Sequence, residues 1–126
     1  MSMKVETRSY GSVAILDLHG KLVFGGGDVQ FRQAVLEVLE DGHKNIVINM
    51  ADVRTIDSSG LGELIRSKVT AASHGANVKL LHLVPKIYDL LEVTRLIGVF
   101  EIFDDEAEVI PSFWDETRND DAPEDG

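Results

Sequence analysis

The sequence predicts an α/β domain, a mixed β-sheet with helices packed on it, in the element order ββαβαβαβα. Three observations carry that prediction. Two β-rich segments stand on either side of a short turn near the N-terminus, which suggests an antiparallel hairpin. Three later apolar runs of strand length alternate with segments whose apolar residues recur at helical spacing. The connections between those runs are long enough for the crossovers that parallel pairing needs. At 126 residues the chain has the size of one domain with a core of its own.

The elements follow in order. Residues 4–9 and 12–19, around "YGS", read as the opening pair of strands. After "HGKLVFGGG", Asp28 stands as an N-cap for a helix carrying Phe31, Ala34, Val35, Val38 and Leu39, with Gly42 just past its end. "NIVINM", 45–50, is a continuous apolar run, the mark of a strand buried on both faces and central in the sheet. Residues 59–74 place Leu61, Leu64, Ile65, Val69 and Ala72 on one stripe, closed by Gly75. "VKLLHLV", 78–84, is a strand, and Pro85 then opens a helix with Ile87, Leu90, Leu91 and Thr94 in phase and Gly98 behind. "VFEIF" supplies the last short strand. Asp105 and Glu108 have capping-box spacing for a closing helix that Pro111 ends, with Phe113 and Trp114 packing it onto the body.

The domain therefore spans 1–114. Residues 115–126, "DETRNDDAPEDG", carry six acidic groups against Arg118, a composition that predicts a disordered acidic tail. The formal net charge of −10 argues against nucleic acid or an anionic membrane as partner, since either would have to be neutralised. The absence of cysteine excludes disulfides and thiolate sites and is compatible with a reducing compartment. With no secretory h-region and no apolar run of about 18 residues, a cytoplasmic location without membrane insertion is expected.

"TIDSSGLGELI", 55–65, carries the chemistry. Asp57 or Ser58 should cap the helix that starts there. Gly60 and Gly62 are unfavourable in a helix by about 1 kcal/mol each, and what glycine supplies is backbone without side chains. A helix start of that kind presents oriented amides and the positive end of the macrodipole to an anion or a closely approaching surface. A serine exposed there can carry a phosphate that would be intolerable in a dry interface.

Enzyme signatures fail on the same residues. Neither serine lies in G-x-S-x-G, and "GKLVFGGGD" lacks the order of a phosphate-binding loop. His19, His43, His74 and His82 have no ligand spacing. Asp57 as a magnesium-dependent phosphoacceptor would need further acidic residues, where the chain has Gly20 and Lys21. No cofactor or metal is expected, and the chain reads as a non-enzymatic protein.

"IDSSGLGEL", with "NIVINMADV" before it and "VKLLHLV" and "IYDLLEVTRLIGVFEIFDDEAEVI" after it, resembles the STAS domain of anti-sigma factor antagonists over about residues 4–112. The resemblance implies the STAS fold and a partner switch. Ser58, the first serine of the run, would be phosphorylated by an anti-sigma factor that is itself a serine kinase. The unphosphorylated form would bind that factor and free the sigma factor, thereby regulating transcription, and a serine phosphatase would reset the switch. The expected contact surface is the loop Leu22, Val23, Phe24, Gly25, Gly26, Gly27 together with Asp57, Ser58, Ser59, Gly60, Leu61 and Gly62. Spacing alone does not choose Ser58 over Ser59. One departure is Val23, which stands where many antagonists have the aspartate of G-x-L-D. Related STAS domains also serve as non-phosphorylated scaffolds or as accessory subunits of lipid transport ATPases. The oligomeric state is left open.

Overall fold

The computed structural model describes residues 3–114. Five strands form one sheet in the order β1-β2-β3-β4-β5: β1 (Met3–Tyr10), β2 (Val13–Leu22), β3 (Asn45–Ile56), β4 (Asn77–Leu81) and β5 (Ile102–Phe103). β1 runs antiparallel to β2, and every later pairing is parallel. Three helices fill the crossovers, α1 (Gly27–Glu40), α2 (Ser58–Ser73) and α3 (Pro85–Val93), and α4 covers residues 106–114. The order is ββαβαβαβα, with β3 in the middle of the sheet as its apolar run requires.

Alternation along β2 divides the interior in two. Ala14, Leu16 and Leu18 face the larger core, which takes in Phe31, Val35, Leu64, Ile87 and Leu91 from the first three helices. Val13 and Ile15 point the other way, and with Val47 and Leu81 they form a smaller core closed by Val109 and Phe113 of α4. Lys79, also buried, extends its Nζ to Ser112 Oγ at 2.9 Å and over the Phe113 ring at 4.4 Å. At the rim, Arg8 reaches Asp17 and Glu106 through two hydrogen bonds each, tying β1, β2 and α4 together.

Several boundaries depart from the sequence-based expectation for visible reasons. Asp28 is not the N-cap of α1. Gly26 occupies that position, and the buried Asp28 carboxylate accepts from the amides of Gly26 and Val29 inside the first turn. β3 runs on to Ile56 because the second half of β2 pairs with it, Leu22 lying opposite Ile56. β4 ends at Leu81, where His82 turns to φ +60° and gives its amide to the Phe103 carbonyl. α3 ends before Gly98. Arg95, at φ +64°, takes the left-handed position after the helix, and the Arg95 and Leu96 amides close on the Glu92 and Leu91 carbonyls in a Schellman pattern. Pro111 lies within α4 instead of ending it; the burial of Val109 and Phe113 on either side holds the helix through the proline. Trp114, unlike Phe113, is half exposed.

The largest difference concerns α2. Its buried residues are Gly60, Glu63, Leu64, Ser67 and Ala71, so of the stripe read as Leu61, Leu64, Ile65, Val69 and Ala72 only Leu64 is fully buried, and the buried face is turned from the expected one. Val69 is 65 % exposed. Small residues face inward because α2 lies close over the end of β2 and beside α1, and Glu63 is compensated by Arg32 of α1 at 2.8 Å. The acidic segment 115–126 lies outside the described residues.

Candidate functional site

The parallel register that sets Leu22 beside Ile56 makes the ends of β2 and β3 emerge side by side. The loop from Leu22 to Gly27 and the start of α2 are therefore neighbours. Asp57 joins them. Its backbone amide donates to the Leu22 carbonyl at 3.4 Å. Its carboxylate caps α2 by accepting from the Gly60 amide at 2.9 Å, and the other oxygen accepts from the Phe24 amide at 3.0 Å. These two amides, Phe24 first, hold the Asp57 carboxyl below its usual range.

The loop is pinned at its other end too. Asp28 donates its amide to the Val23 carbonyl at 3.0 Å while its carboxylate holds Gly26. Gly25 sits at φ +87°, a conformation open to glycine and strained for other residues. A Cβ on Gly27 would overlap the Lys21 carbonyl. The result is an ordered loop that carries the Phe24 side chain 77 % exposed.

The two glycines of the opening turn have different roles. Gly60 is buried, and a Cβ there would overlap the Leu22 carbonyl oxygen. The close approach it permits is made by this chain's own β2, not by an outside surface. Gly62 is half-buried with open space where a Cβ would stand. Ser58, the first residue of α2, is exposed, whereas Ser59 and Leu61 are half-buried. The twelve residues singled out from sequence thus lie together at one end of the sheet. Leu22, Gly27 and Gly60 form its buried seam, and Phe24, Gly25, Asp57 and Ser58 form its exposed surface, with Val23, Gly26, Ser59, Leu61 and Gly62 between them.

Beside this end runs a groove of about 370 Å³ lined by Thr55 and Ile56 of β3 and by Lys86, Ile87, Leu90 and Val93 among the residues of α3. Sequence reasoning missed it, having assigned Leu90 to a buried stripe. The signal was Val93, an apolar residue out of phase with Ile87 and Leu91. Among the described residues no group of three or more His, Asp or Glu side chains could hold a metal ion. His19 instead spans Asp52 at 2.7 Å and Glu6 at 3.0 Å. No helix of the described residues is long and apolar enough to cross a membrane.

Comparison with known proteins agrees with this architecture. The STAS domain family model matches residues 4–109. The anti-sigma F factor antagonist of Paenibacillus polymyxa is 23 % identical over 110 residues, covering 87 % of this chain and 94 % of that protein. Among solved structures, an anti-sigma factor antagonist from Mycobacterium paratuberculosis superposes with a TM-score of 0.75 at 16 % identity, covering 88 % of this chain and 93 % of the other. The Bacillus cell fate determinant SpoIIAA in its phosphorylated form gives 0.68 at 18 % identity, covering 89 % and 99 %. By its match over most of its length, with a five-strand mixed sheet and four helices in the expected order, the chain belongs to the STAS domain family, and it is similar to anti-sigma factor antagonists.

Proposed function

We propose that the protein is a cytoplasmic anti-sigma factor antagonist, a non-enzymatic regulator switched by phosphorylation of Ser58. Unphosphorylated, it binds a cognate anti-sigma factor with serine kinase activity through the loop Leu22–Gly27 and the start of α2, freeing the sigma factor. The kinase transfers the terminal phosphoryl group of ATP to Ser58 Oγ, with loss of the hydroxyl proton and release of ADP. A serine phosphatase resets the switch by hydrolysis, in which water cleaves the phosphate ester to restore the Ser58 hydroxyl and release inorganic phosphate. The observation that carries this function is the exposed Ser58 hydroxyl at a helix start whose backbone is already fixed by Asp57. A phosphate there adds a charge of about −1.5 to −2 without disturbing the fold, because Ser58 has no packing to lose. The same charge desolvated against a partner is strongly unfavourable.

Val23 favours a second reading. Half-buried and apolar, it takes the place of the aspartate of many antagonists and alters the polar part of the surface a kinase would meet, which leaves room for a STAS scaffold or an accessory subunit of a lipid transport ATPase. Incubation with the kinase-type anti-sigma factor and ATP separates the two. The switch predicts a mass gain of one phosphate, lost in Ser58→Ala and kept in Ser59→Ala. No phosphate on the parent chain, together with stable association with a transport ATPase, would establish the scaffold instead.

A further inference from the structure

β1 is one edge of the sheet, and eight residues is long for an edge left open. The opposite edge, β5, has two. β1 carries no proline, and its register with β2 runs unbroken from Met3 to Tyr10, so it lacks the bulges that usually blunt such an edge. The two-residue turn at Gly11 and Ser12 makes Tyr10 and Val13 a hydrogen-bonded pair. The backbone groups of Lys4, Glu6, Arg8 and Tyr10 therefore point into the sheet, and those of Met3, Val5, Thr7 and Ser9 point outward. Above the outward edge lies a groove of about 360 Å³, lined by Met3, Val5 and Thr7 and by the α1 flank of Gln30, Gln33 and Ala34.

We infer that this edge pairs with β1 of a second copy of the chain, antiparallel, with Val5 on the two-fold axis, joining two sheets into one of ten strands. The charges select the register. With Val5 on the axis, Lys4 faces the partner's Glu6, and by symmetry Glu6 faces the partner's Lys4. Both pairs occupy the closely spaced, non-hydrogen-bonded positions where cross-strand side chains interact most. Within one copy Lys4 lies 3.5 Å from Glu6, and Glu6 also meets His19 at 3.0 Å. These are single contacts between side chains 73 % and 53 % exposed at Lys4 and Glu6, which can be exchanged for the partner's, unlike the four hydrogen bonds that hold Arg8. Shifting the axis to Glu6 would set Glu6 against Glu6 and Lys4 against Arg8. Shifting it to Thr7 would pair Glu6 with Arg8, whose guanidinium is already engaged by Asp17 and Glu106.

The favoured register also fits the groove, whose β1 lining spans Met3 to Thr7, the five described residues that would pair with one another across the axis. Met3, Val5 and Thr7 of both copies would fill it from below. The interface is isologous, so it closes at two copies.

Sedimentation velocity on the full chain, from low micromolar to about 1 mM, tests this pairing. The expected result is a reversible dimer whose dissociation constant rises at least about tenfold in Glu6→Lys, where like charges meet twice. It should return to within about threefold of the parent in the double exchange Lys4→Glu with Glu6→Lys. Thr7→Pro, which removes an amide pointing away from β2, should leave a folded monomer by circular dichroism. A parent chain that stays monomeric throughout, or a dimer equally stable in Glu6→Lys, would overturn the inference.

Discussion

At the junction of Leu22–Gly27 with Asp57–Gly62, order comes from backbone amides given to two carboxylates, Asp57 and Asp28. At the seat of α4 it comes from side chains: Phe113 and Val109 in a closed apolar cluster, and a buried Lys79 held by Ser112 and two phenylalanine rings. The first arrangement fixes the main chain and leaves the Phe24 and Ser58 side chains free. The second commits its side chains to packing. The former suits the partner contact and phosphorylation proposed for this surface, and the latter suits a helix that must stay attached.

The contrast is testable, starting with the largest effect. Phe113→Ala should destabilise the protein by about 3–5 kcal/mol, as expected for a large buried aromatic, measured by urea unfolding. A loss below about 1 kcal/mol would mean that α4 is not held by packing. Gly60→Ala should cost the upper part of about 1–3 kcal/mol or more, because the rigid Leu22 carbonyl stands in the way. Gly62→Ala, with open space around it, should instead stabilise by roughly 0.5–1 kcal/mol. Equal effects at the two glycines would dissolve the distinction between seam and surface.

The opening helix turn also shows how much was legible in the sequence. The element order and the central place of β3 could be read from apolar periodicity and turn residues, and the grouping of the loop with the start of α2 came from the resemblance to the STAS family. The face of α2 could not. One position along a helix is about 100° of rotation, and the residues that α2 buries include Gly60, Glu63 and Ser67, which a hydrophobic pattern passes over. They face inward because a backbone carbonyl and an arginine await them, contacts that exist only once β2 and α1 are in place. For the same reason Gly60 looked like an exposed backbone reserved for a partner. The left-handed Arg95 after α3 was hidden because glycine is the residue expected there.

A gentler probe of the junction is acid. The depressed pKa of Asp57 means that its hydrogen bonds contribute fully above the ordinary carboxyl value of 3.8 and are lost as pH falls through the lower folded value. The Phe24 and Gly60 amide resonances should therefore shift together, with one shared midpoint below pH 3.8. Separate midpoints, or a common one above that value, would show that Asp57 does not join the loop to the helix.

The central claim is that Ser58 is a switch on a preformed contact surface, and its most direct test is the affinity of Ser58 variants for the kinase-type anti-sigma factor, measured by titration calorimetry. Ser58→Ala should bind within about threefold of the parent, since the exposed hydroxyl packs against nothing in the free protein. Ser58→Asp should bind about 100-fold more weakly or worse, from placing an unpaired charge in a desolvated contact. A Ser58→Asp chain that binds as tightly as the parent would contradict the account.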